Sequence, residues 1–247
     1  MCLRKFIIFS SIIFFFLIFL STEILSQFNI LNQLSIRIFW ISVVIISSSV
    51  LIKKKYFNKI VGQKFRPTPE IFLILFIFLI TFINAIIYVP NTLDAMTYHM
   101  TKVMNWIQNE NLNFYPTNDL RELILAPFSE YIILHLYLLL GGDYLANLAQ
   151  WYSMFVSCLG VSLIAKELNC NTKHQTLAAL FCATIPMGIM QSTSTQTDYV
   201  TSMWIVLMVY FLLKFIGQNR FLYLIFFSIC LGLGALTKGT FYFFALP

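Results

Sequence analysis

The sequence is poor in charged residues, and it also contains few glycines, prolines and cysteines. Of its 247 residues only 11% are charged, whereas 59% are hydrophobic and the mean hydropathy is +0.81. Soluble domains usually carry about 25% charged and roughly 45–50% apolar residues. This composition excludes an ordinary soluble domain and predicts an all-α polytopic membrane protein, since only helices satisfy their own backbone hydrogen bonds within one apolar segment.

The spacing of the cysteines indicates no cysteine-ligated metal site, and the placement of the basic residues indicates no nucleic-acid interface. The five cysteines form no CxxC pair and show no metal-ligand spacing, so we interpret them as small, reduced hydrophobic residues. The net charge is +6, but the basic residues cluster at the ends of apolar runs instead of alternating with aromatics on a polar surface. A nucleic-acid partner is therefore not expected.

The long apolar runs predict about seven transmembrane helices, because about 20 helical residues cross a ~30 Å hydrocarbon layer. The predicted spans cover residues 6–25, 36–52, 71–89, 145–164, 177–190 and 199–215, and a last one starts at Phe221. Residues 1–25 could instead be a signal peptide, but they lack a small-x-small cleavage site. We therefore predict an uncleaved first span.

Basic residues predict which ends of the spans face the cytoplasm. Arg4 and Lys5 precede the first span, and a lysine-rich segment follows the second. That segment contains Lys53, Lys54, Lys55, Lys59, Lys64 and Arg66. If both lie inside, the third span delivers residues 90–130 to the non-cytoplasmic side. Arg37 lies against this rule.

The apolar run at residues 131–140 is only half a span long, so we predict that it is an external helix and does not cross the membrane. The alternation of later spans then places Asp94 and Asp198 on the same, non-cytoplasmic side and brings Lys238 toward it. Pro186 should kink the helix that leads to Asp198.

The loop of residues 90–130 also contains a helical pattern. Its apolar stripe consists of Met96, Met100, Val103, Met104 and Ile107, and its polar row consists of Asp94, Tyr98, Thr101 and Asn105. We expect a short helix that lies on the membrane and exposes the polar row, either as part of a site or simply as a solvated face.

Two acids and a lysine that converge on one membrane face suggest group transfer. A carboxylate there can take a proton from a hydroxyl nucleophile, and a lysine can hold the phosphate of a lipid-linked donor. For each residue taken alone, a structural role remains open, such as anchoring a helix end at the headgroups for Lys238.

Four short motifs resemble, in order, those of GT-C superfamily glycosyltransferases of the protein O-mannosyltransferase and lipid A aminoarabinose transferase group (glycosyltransferase family 39-like). They are Leu93-Asp94-Ala95-Met96-Thr97-Tyr98-His99, Ala126-Pro127-Phe128-Ser129-Glu130-Tyr131, Thr195-Gln196-Thr197-Asp198 and Gly234-Ala235-Leu236-Thr237-Lys238-Gly239. This resemblance implies a GT-C-type helix bundle with external juxtamembrane helices. It also implies inverting transfer of a sugar from a polyisoprenyl-phosphate donor to a hydroxyl-bearing lipid, glycan or protein acceptor.

The resemblance also implies roles for individual residues. Asp94 would be the catalytic base, Asp198 a second acidic residue of the site, and Lys238 a ligand of the donor phosphate. Many members of the group have an Asp-Glu pair, but Asp94 is followed by Ala95. A metal site is therefore left unknown, with a divalent cation as a possible cofactor.

One basic residue of the family has no counterpart in this sequence. Some relatives place it beside the proline of the external helix. Its absence here leaves Arg121 or His99 as the residue that could take its role. Tyr98 is a further candidate for substrate binding.

The resemblance covers residues 92 to the C-terminus, so we divide the chain into an N-terminal region with the basic loop (residues 1–68) and a catalytic module (residues 69–247). We expect a multi-pass protein of a bacterial plasma membrane, surrounded by membrane lipids, with its site facing outward. The apolar C-terminus suggests a truncated chain.

The alternatives to a glycosyltransferase are a transporter or flippase for a lipid-linked sugar, which could use the same acids for proton coupling, and an inactive membrane fragment or scaffold.

Overall fold

A computed structural model describes residues 3–53 and 68–246, and within these residues the regular secondary structure is all helical. The prediction of an all-α polytopic membrane protein is confirmed. The lysine-rich segment that we place in the cytoplasm lies, after Lys53, outside the described residues. The proposed division after residue 68 falls at the edge of the same gap and stays a prediction.

Twelve α-helices and one π-helical turn follow one another in the described residues. The helices are α1 (Leu3–Gln27), α2 (Gln33–Lys53), α3 (Pro69–Ile87), α4 (Met100–Asn109), α5 (Arg121–Ile124), α6 (Phe128–Leu140), α7 (Leu148–Glu167), α8 (Thr172–Ala183), α9 (Pro186–Ser192), α10 (Asp198–Gln218), α11 (Phe221–Ala235) and α12 (Phe241–Ala245). The π-helical turn, Ala95–His99, runs directly into α4.

Four of these helices, α1, α3, α7 and α10, are long and apolar enough to cross a membrane. The apolar stretches Gln33–Ser49, Phe128–Leu140 and Phe221–Ala235 are shorter. Seven spans therefore remain a prediction. The single predicted helix over residues 177–190 is wrong in detail, because the chain forms α8 and then starts α9 at Pro186. A proline lacks the backbone N–H that a continuous helix requires, so the helix is interrupted and not merely kinked.

Polar contacts tie four helices together at one end of the bundle, which we call the Arg4 end. The Arg4 guanidinium donates to Ser162 of α7 at 3.0 Å and to Gln175 of α8 at 2.8 Å. At the C-terminal end of α7, Glu167 pairs with Lys214 of α10 at 3.2 Å. The start of α1 thus lies beside the end of α7, the start of α8 and the end of α10, as the predicted alternation of spans requires.

The opposite end of the bundle, which we call the Asp198 end, gathers the other termini of these helices. The Asn147 side chain, at the start of α7, donates to the carbonyl of Tyr88, at the end of α3, at 2.7 Å. The side-chain oxygen Oε1 of Gln150 accepts from the backbone amides of Tyr199 and Val200 of α10 at 2.8 and 3.1 Å. These contacts hold α3, α7 and α10 in register, so the loop after α3 and the turn before α10 emerge at the same end.

Helix α6 stays at the Asp198 end. Its 13 residues extend only about 20 Å, less than a ~30 Å hydrocarbon layer. The Tyr131 hydroxyl donates to Glu23 near the end of α1 at 2.7 Å, and the loop after Leu140 leads directly to the start of α7. The structure therefore agrees with the prediction that residues 131–140 turn back instead of crossing.

His135 of α6 makes two buried hydrogen bonds, to Thr22 at 2.8 Å and to Trp40 at 2.9 Å. The core beneath α6 centres on Trp204 of α10, which is fully buried and packs against Phe15 and Phe128 with ring centroids 5.6 and 5.7 Å away. This aromatic cluster joins α1, α6 and α10 and supports the residues at the Asp198 end.

Candidate active site

A π-helical turn, a rare conformation that often occurs at functional sites, follows Asp94 directly. The Asp94 side chain is 45% exposed. The predicted exposed polar row is wrong at Tyr98, which is buried. Met96, of the predicted apolar stripe, is 60% exposed, whereas Met100 and Val103 of the same stripe are buried. Regular α-helical spacing does not hold within the π-helical turn, which contains Tyr98.

Asp94 belongs to a small charged cluster with residues of α5 and of the segment before it. The Arg121 guanidinium lies 3.8 Å from the Asp94 carboxylate and 4.7 Å from the centre of the Tyr98 ring. Arg121 also binds both carboxylate oxygens of Asp119, the closest at 2.7 Å, and these hydrogen bonds lower the pKa of the Asp119 carboxyl. Three sequence-predicted residues, Asp94, Tyr98 and Arg121, are therefore in contact.

Tyr98 is also affected by the charge of Asp94. Burial, followed by the nearby negative charge of Asp94, raises the pKa of Tyr98 to about 12. The phenol is therefore protonated at neutral pH. The Asp94 side chain keeps 45% of its surface open to solvent.

The other two predicted residues form a second pair. The Lys238 Nζ donates to the Asp198 Oδ1 at 2.7 Å, and the two side chains are 36% and 42% exposed. Asp198 is the first residue of α10, where the helix dipole favours a negative charge. Lys238 lies in the turn between α11 and α12. Because the pair is solvated, a phosphate oxygen could bind Lys238 at little cost in stability.

The first turn of α6 connects both clusters. The Phe128 amide donates to the Leu236 carbonyl at 2.9 Å. The hydroxyl of the next residue, Ser129, donates to the Gln196 carbonyl at 3.1 Å. The residue after that, Glu130, binds His99 Nδ1 through Oε1 at 2.8 Å. All four motifs that resemble the GT-C glycosyltransferases therefore meet at one turn of one helix.

The turn before α12 is held against α11 by close packing. A Cβ atom added to Gly234 would lie 2.2 Å from the ring of Phe241, which is fully buried. The Thr237 hydroxyl donates to the Leu233 carbonyl at 2.6 Å. These contacts fix the backbone on both sides of Lys238, so a small residue is required at position 234.

The structure adds Glu130 and Lys102 to the residues that the sequence singles out. Glu130 is fully buried, and Lys102, 3% exposed, lies 4.0 Å from it and donates to the Leu125 carbonyl at 2.7 Å. Burial lowers the pKa of Lys102. A glutamate at the start of an apolar run is a signal of function. Its partner His99 lies 31 residues away, so sequence spacing could not reveal the pair.

Within the described residues, no group of three or more His, Cys, Asp or Glu side chains is arranged to hold a metal ion. His99, a predicted substrate-binding residue, is 3% exposed and contacts Glu130 and Tyr98. The divalent cation and the substrate contact of His99 both stay predictions.

Comparison with protein-family models finds a similarity in the C-terminal part of the chain. Residues 125–247 match the family model described as Dolichyl-phosphate-mannose-protein mannosyltransferase. No curated protein and no solved structure matches the chain significantly. Over this region the chain is similar to a glycosyltransferase family of the mannosyltransferase type, and together with the apolar helices this similarity supports an integral membrane protein.

The matched region includes α6, the Asp198 turn and the Lys238 segment but not Asp94. The family implies, in general terms, a polyprenyl-phosphate sugar donor and a protein or glycan acceptor. The contact of Glu130 with His99 joins the Asp94 segment to this matched region in space.

Proposed function

We propose that this protein transfers a sugar from a polyisoprenyl-phosphate donor to a hydroxyl-bearing acceptor, with inversion at the anomeric carbon. The observation that carries this proposal is the convergence of the Asp94 segment, the Asp198 turn and the Lys238 turn on residues 128–130. The family match supports the donor class.

Asp94 is the general base in this proposal. Its carboxylate takes the proton of the acceptor hydroxyl while the oxygen forms a bond to the anomeric carbon. Arg121 lies 3.8 Å from the Asp94 carboxylate, and the Asp94 side chain is still 45% exposed, so its exposed part can face the acceptor. A positioned base of this kind contributes about 10²–10⁴-fold to the rate.

Lys238 binds the leaving group. The bond between the anomeric carbon and the phosphate oxygen breaks, and its electron pair stays on the phosphate. Negative charge therefore increases on that phosphate in the transition state, where a fixed cation stabilises it. Asp198, at 2.7 Å, orients the ammonium group before the donor binds.

The site lies at the Asp198 end of the bundle, opposite Arg4, Glu167 and Lys214. With the basic Arg4 end in the cytoplasm, the positive-inside rule places the reaction on the non-cytoplasmic side. Donor and acceptor would then meet at the membrane surface, where lipid and the external helices α4 to α6 limit the access of water.

A transfer assay tests this proposal. The chain is reconstituted in lipid nanodiscs with a short polyprenyl-phosphate-linked mannose and a hydroxyl acceptor, and the Asp94→Asn variant is compared with the wild type. We expect the variant to lose about 10²-fold or more of kcat while it still binds the donor. Asp143→Asn, in the loop between α6 and α7, is the matched control and should retain activity.

Two outcomes would contradict the proposal. One is full activity of Asp94→Asn, which would show that Asp94 is not the general base. The other is movement of a labelled donor across a liposome bilayer without any transfer, which would identify a transporter instead.

A further inference from the structure

The buried contact between Glu130 and His99 has a chemical consequence for the Asp94 segment. Glu130 is fully buried, and the His99 side chain is 4% exposed. Their hydrogen bond, Nδ1 to Oε1 at 2.8 Å, joins α6 to the last residue of the π-helical turn. Within the described residues, the second carboxylate oxygen of Glu130 has no hydrogen-bond partner. The pairing with His99 is therefore the main polar interaction of this carboxylate.

This contact specifies where the histidine carries its proton. A carboxylate only accepts hydrogen bonds, so Nδ1 of His99 must hold the hydrogen. In the neutral ring the other nitrogen, Nε2, is then unprotonated. Nε2 lies on the opposite edge of the ring from Nδ1, so it points away from Glu130.

His135 provides an internal reference with the opposite tautomer. The Trp40 indole N–H donates to its Nδ1 at 2.9 Å, so the hydrogen of His135 must be on Nε2. That nitrogen contacts the Thr22 hydroxyl at 2.8 Å, and Thr22 donates its own hydrogen to the Ile18 carbonyl. Thr22 is therefore the acceptor, which is consistent with this assignment.

His99 is also placed to affect Asp94. Asp94 immediately precedes the π-helical turn and His99 is its last residue, with Tyr98 between them. The rings of Tyr98 and His99 lie 4.2 Å apart, and the Arg121 guanidinium contacts both the Tyr98 ring and the Asp94 carboxylate. A contact that fixes His99 therefore also fixes the ring on which Arg121 lies beside Asp94.

We propose that Glu130 is a positioning residue, which holds His99 in the Nδ1-protonated form and thereby fixes the turn that presents Asp94. This inference rests on the proposed function for its effect on catalysis. The tautomer of His99 can be measured whether or not the protein transfers sugar. Carboxylates that orient metal-bound histidines typically change affinity or activity by about 10- to 100-fold when they are replaced, and we expect an effect of this order for Glu130.

The variants must allow for Lys102, since removing Glu130 alone would leave a buried ammonium group without its counter-charge. We therefore compare the wild type with Glu130→Gln/Lys102→Met and Glu130→Met/Lys102→Met. Glutamine keeps an oxygen that accepts from Nδ1, whereas methionine does not. The matched control is Glu122→Gln, because Glu122 is also buried but binds Tyr115 and Thr117.

Nitrogen-15 NMR of protein labelled at histidine shows which ring nitrogen carries the hydrogen. The chain has three histidines, so the spectrum contains few signals to assign. In the wild type we expect one Nδ1-protonated signal from His99 and one Nε2-protonated signal from His135. The His99 signal should persist in the Gln double variant and in Glu122→Gln. It should shift to the Nε2-protonated form in the Met double variant.

In the transfer assay, the Met double variant should lose about 10- to 100-fold of kcat with the donor KM changed less than about 2-fold. The Gln double variant should recover most of that kcat, and Glu122→Gln should resemble the wild type. An Nε2-protonated His99 in the wild type, or a folded Met double variant with unchanged kcat, would overturn the inference. If the tautomers are as expected but neither wild type nor variants transfer sugar, the proposed function fails instead.

Discussion

Lys238 and Asp198, which are 40 residues apart, form an ion pair of 2.7 Å at the Asp198 end of the helix bundle. Asp198 starts helix α10, and Lys238 lies in the turn after α11, so the pair joins two elements that otherwise pack through apolar side chains. Both side chains keep more than a third of their surface exposed. A pair of this kind contributes little to stability and is available to bind a ligand.

If Lys238 binds the donor phosphate, Lys238→Met should lower kcat/KM for the donor by about 10- to 100-fold, because a hydrogen bond to a charged group contributes roughly 1.5–3 kcal/mol. Thermal stability should change little. The measurement is steady-state kinetics over a range of donor concentrations. Lys173→Met, at the Arg4 end, is the control and should leave kcat/KM unchanged, and an unaltered kcat/KM in Lys238→Met would exclude this role.

Tyr98 should make the stability of the protein depend on alkaline pH. Its pKa is about 12 in the folded protein, above the ordinary value of 10, so folding favours the protonated phenol. This contribution is complete below pH 10 and is lost as the pH rises toward 12. Unfolding midpoints between pH 9 and 12 should therefore fall less steeply in Tyr98→Phe than in the wild type. Tyr144→Phe, an exposed control, should behave like the wild type, and an equal slope in Tyr98→Phe would contradict the assignment.

The sidedness of the helices can be tested by cysteine labelling in a background without native cysteines. Asn91→Cys and Tyr144→Cys lie at the Asp198 end, so both should react with an impermeant reagent from one compartment. Lys173→Cys and Asn219→Cys, at the other end, should react only from the opposite compartment. The reason is that α6 begins and ends at the Asp198 end. Labelling of positions 91 and 144 from different compartments would mean that α6 crosses the membrane.

Trp204 should be important for stability, because it fills the space between Phe15 and Phe128. Trp204→Ala should lower the free energy of unfolding by about 3–5 kcal/mol through loss of contacts and creation of a cavity. Thermal unfolding in detergent measures the effect. Ile216→Ala, at a side chain that is 71% exposed, should have little effect in the same assay. A Trp204→Ala variant as stable as this control would show that the aromatic cluster is not a packed core.

Much of the fold follows from local properties of the sequence. The spans of α1, α3, α7 and α10 are predictable because an apolar run of about 20 residues has few alternatives to a membrane helix. The short helix at residues 131–140 was also predictable, because its length is insufficient to cross, and its location outside the cytoplasm stays a prediction. The interruption at Pro186 shows the limit of this reasoning, since a proline signals a disturbance but not how far the helix reorganises.

The candidate site, too, could be predicted from the sequence only in part. Hydropathy, helix spacing and short motifs are all local properties, and they indicate an all-α membrane chain with Asp94, Asp198 and Lys238 as candidate residues. The folded chain alone shows that Glu130 binds His99, that Tyr98 is buried and that Lys238 pairs with Asp198. These contacts join residues that are distant in the chain, and they depend on how α6, α10 and α11 pack together, which no local pattern encodes.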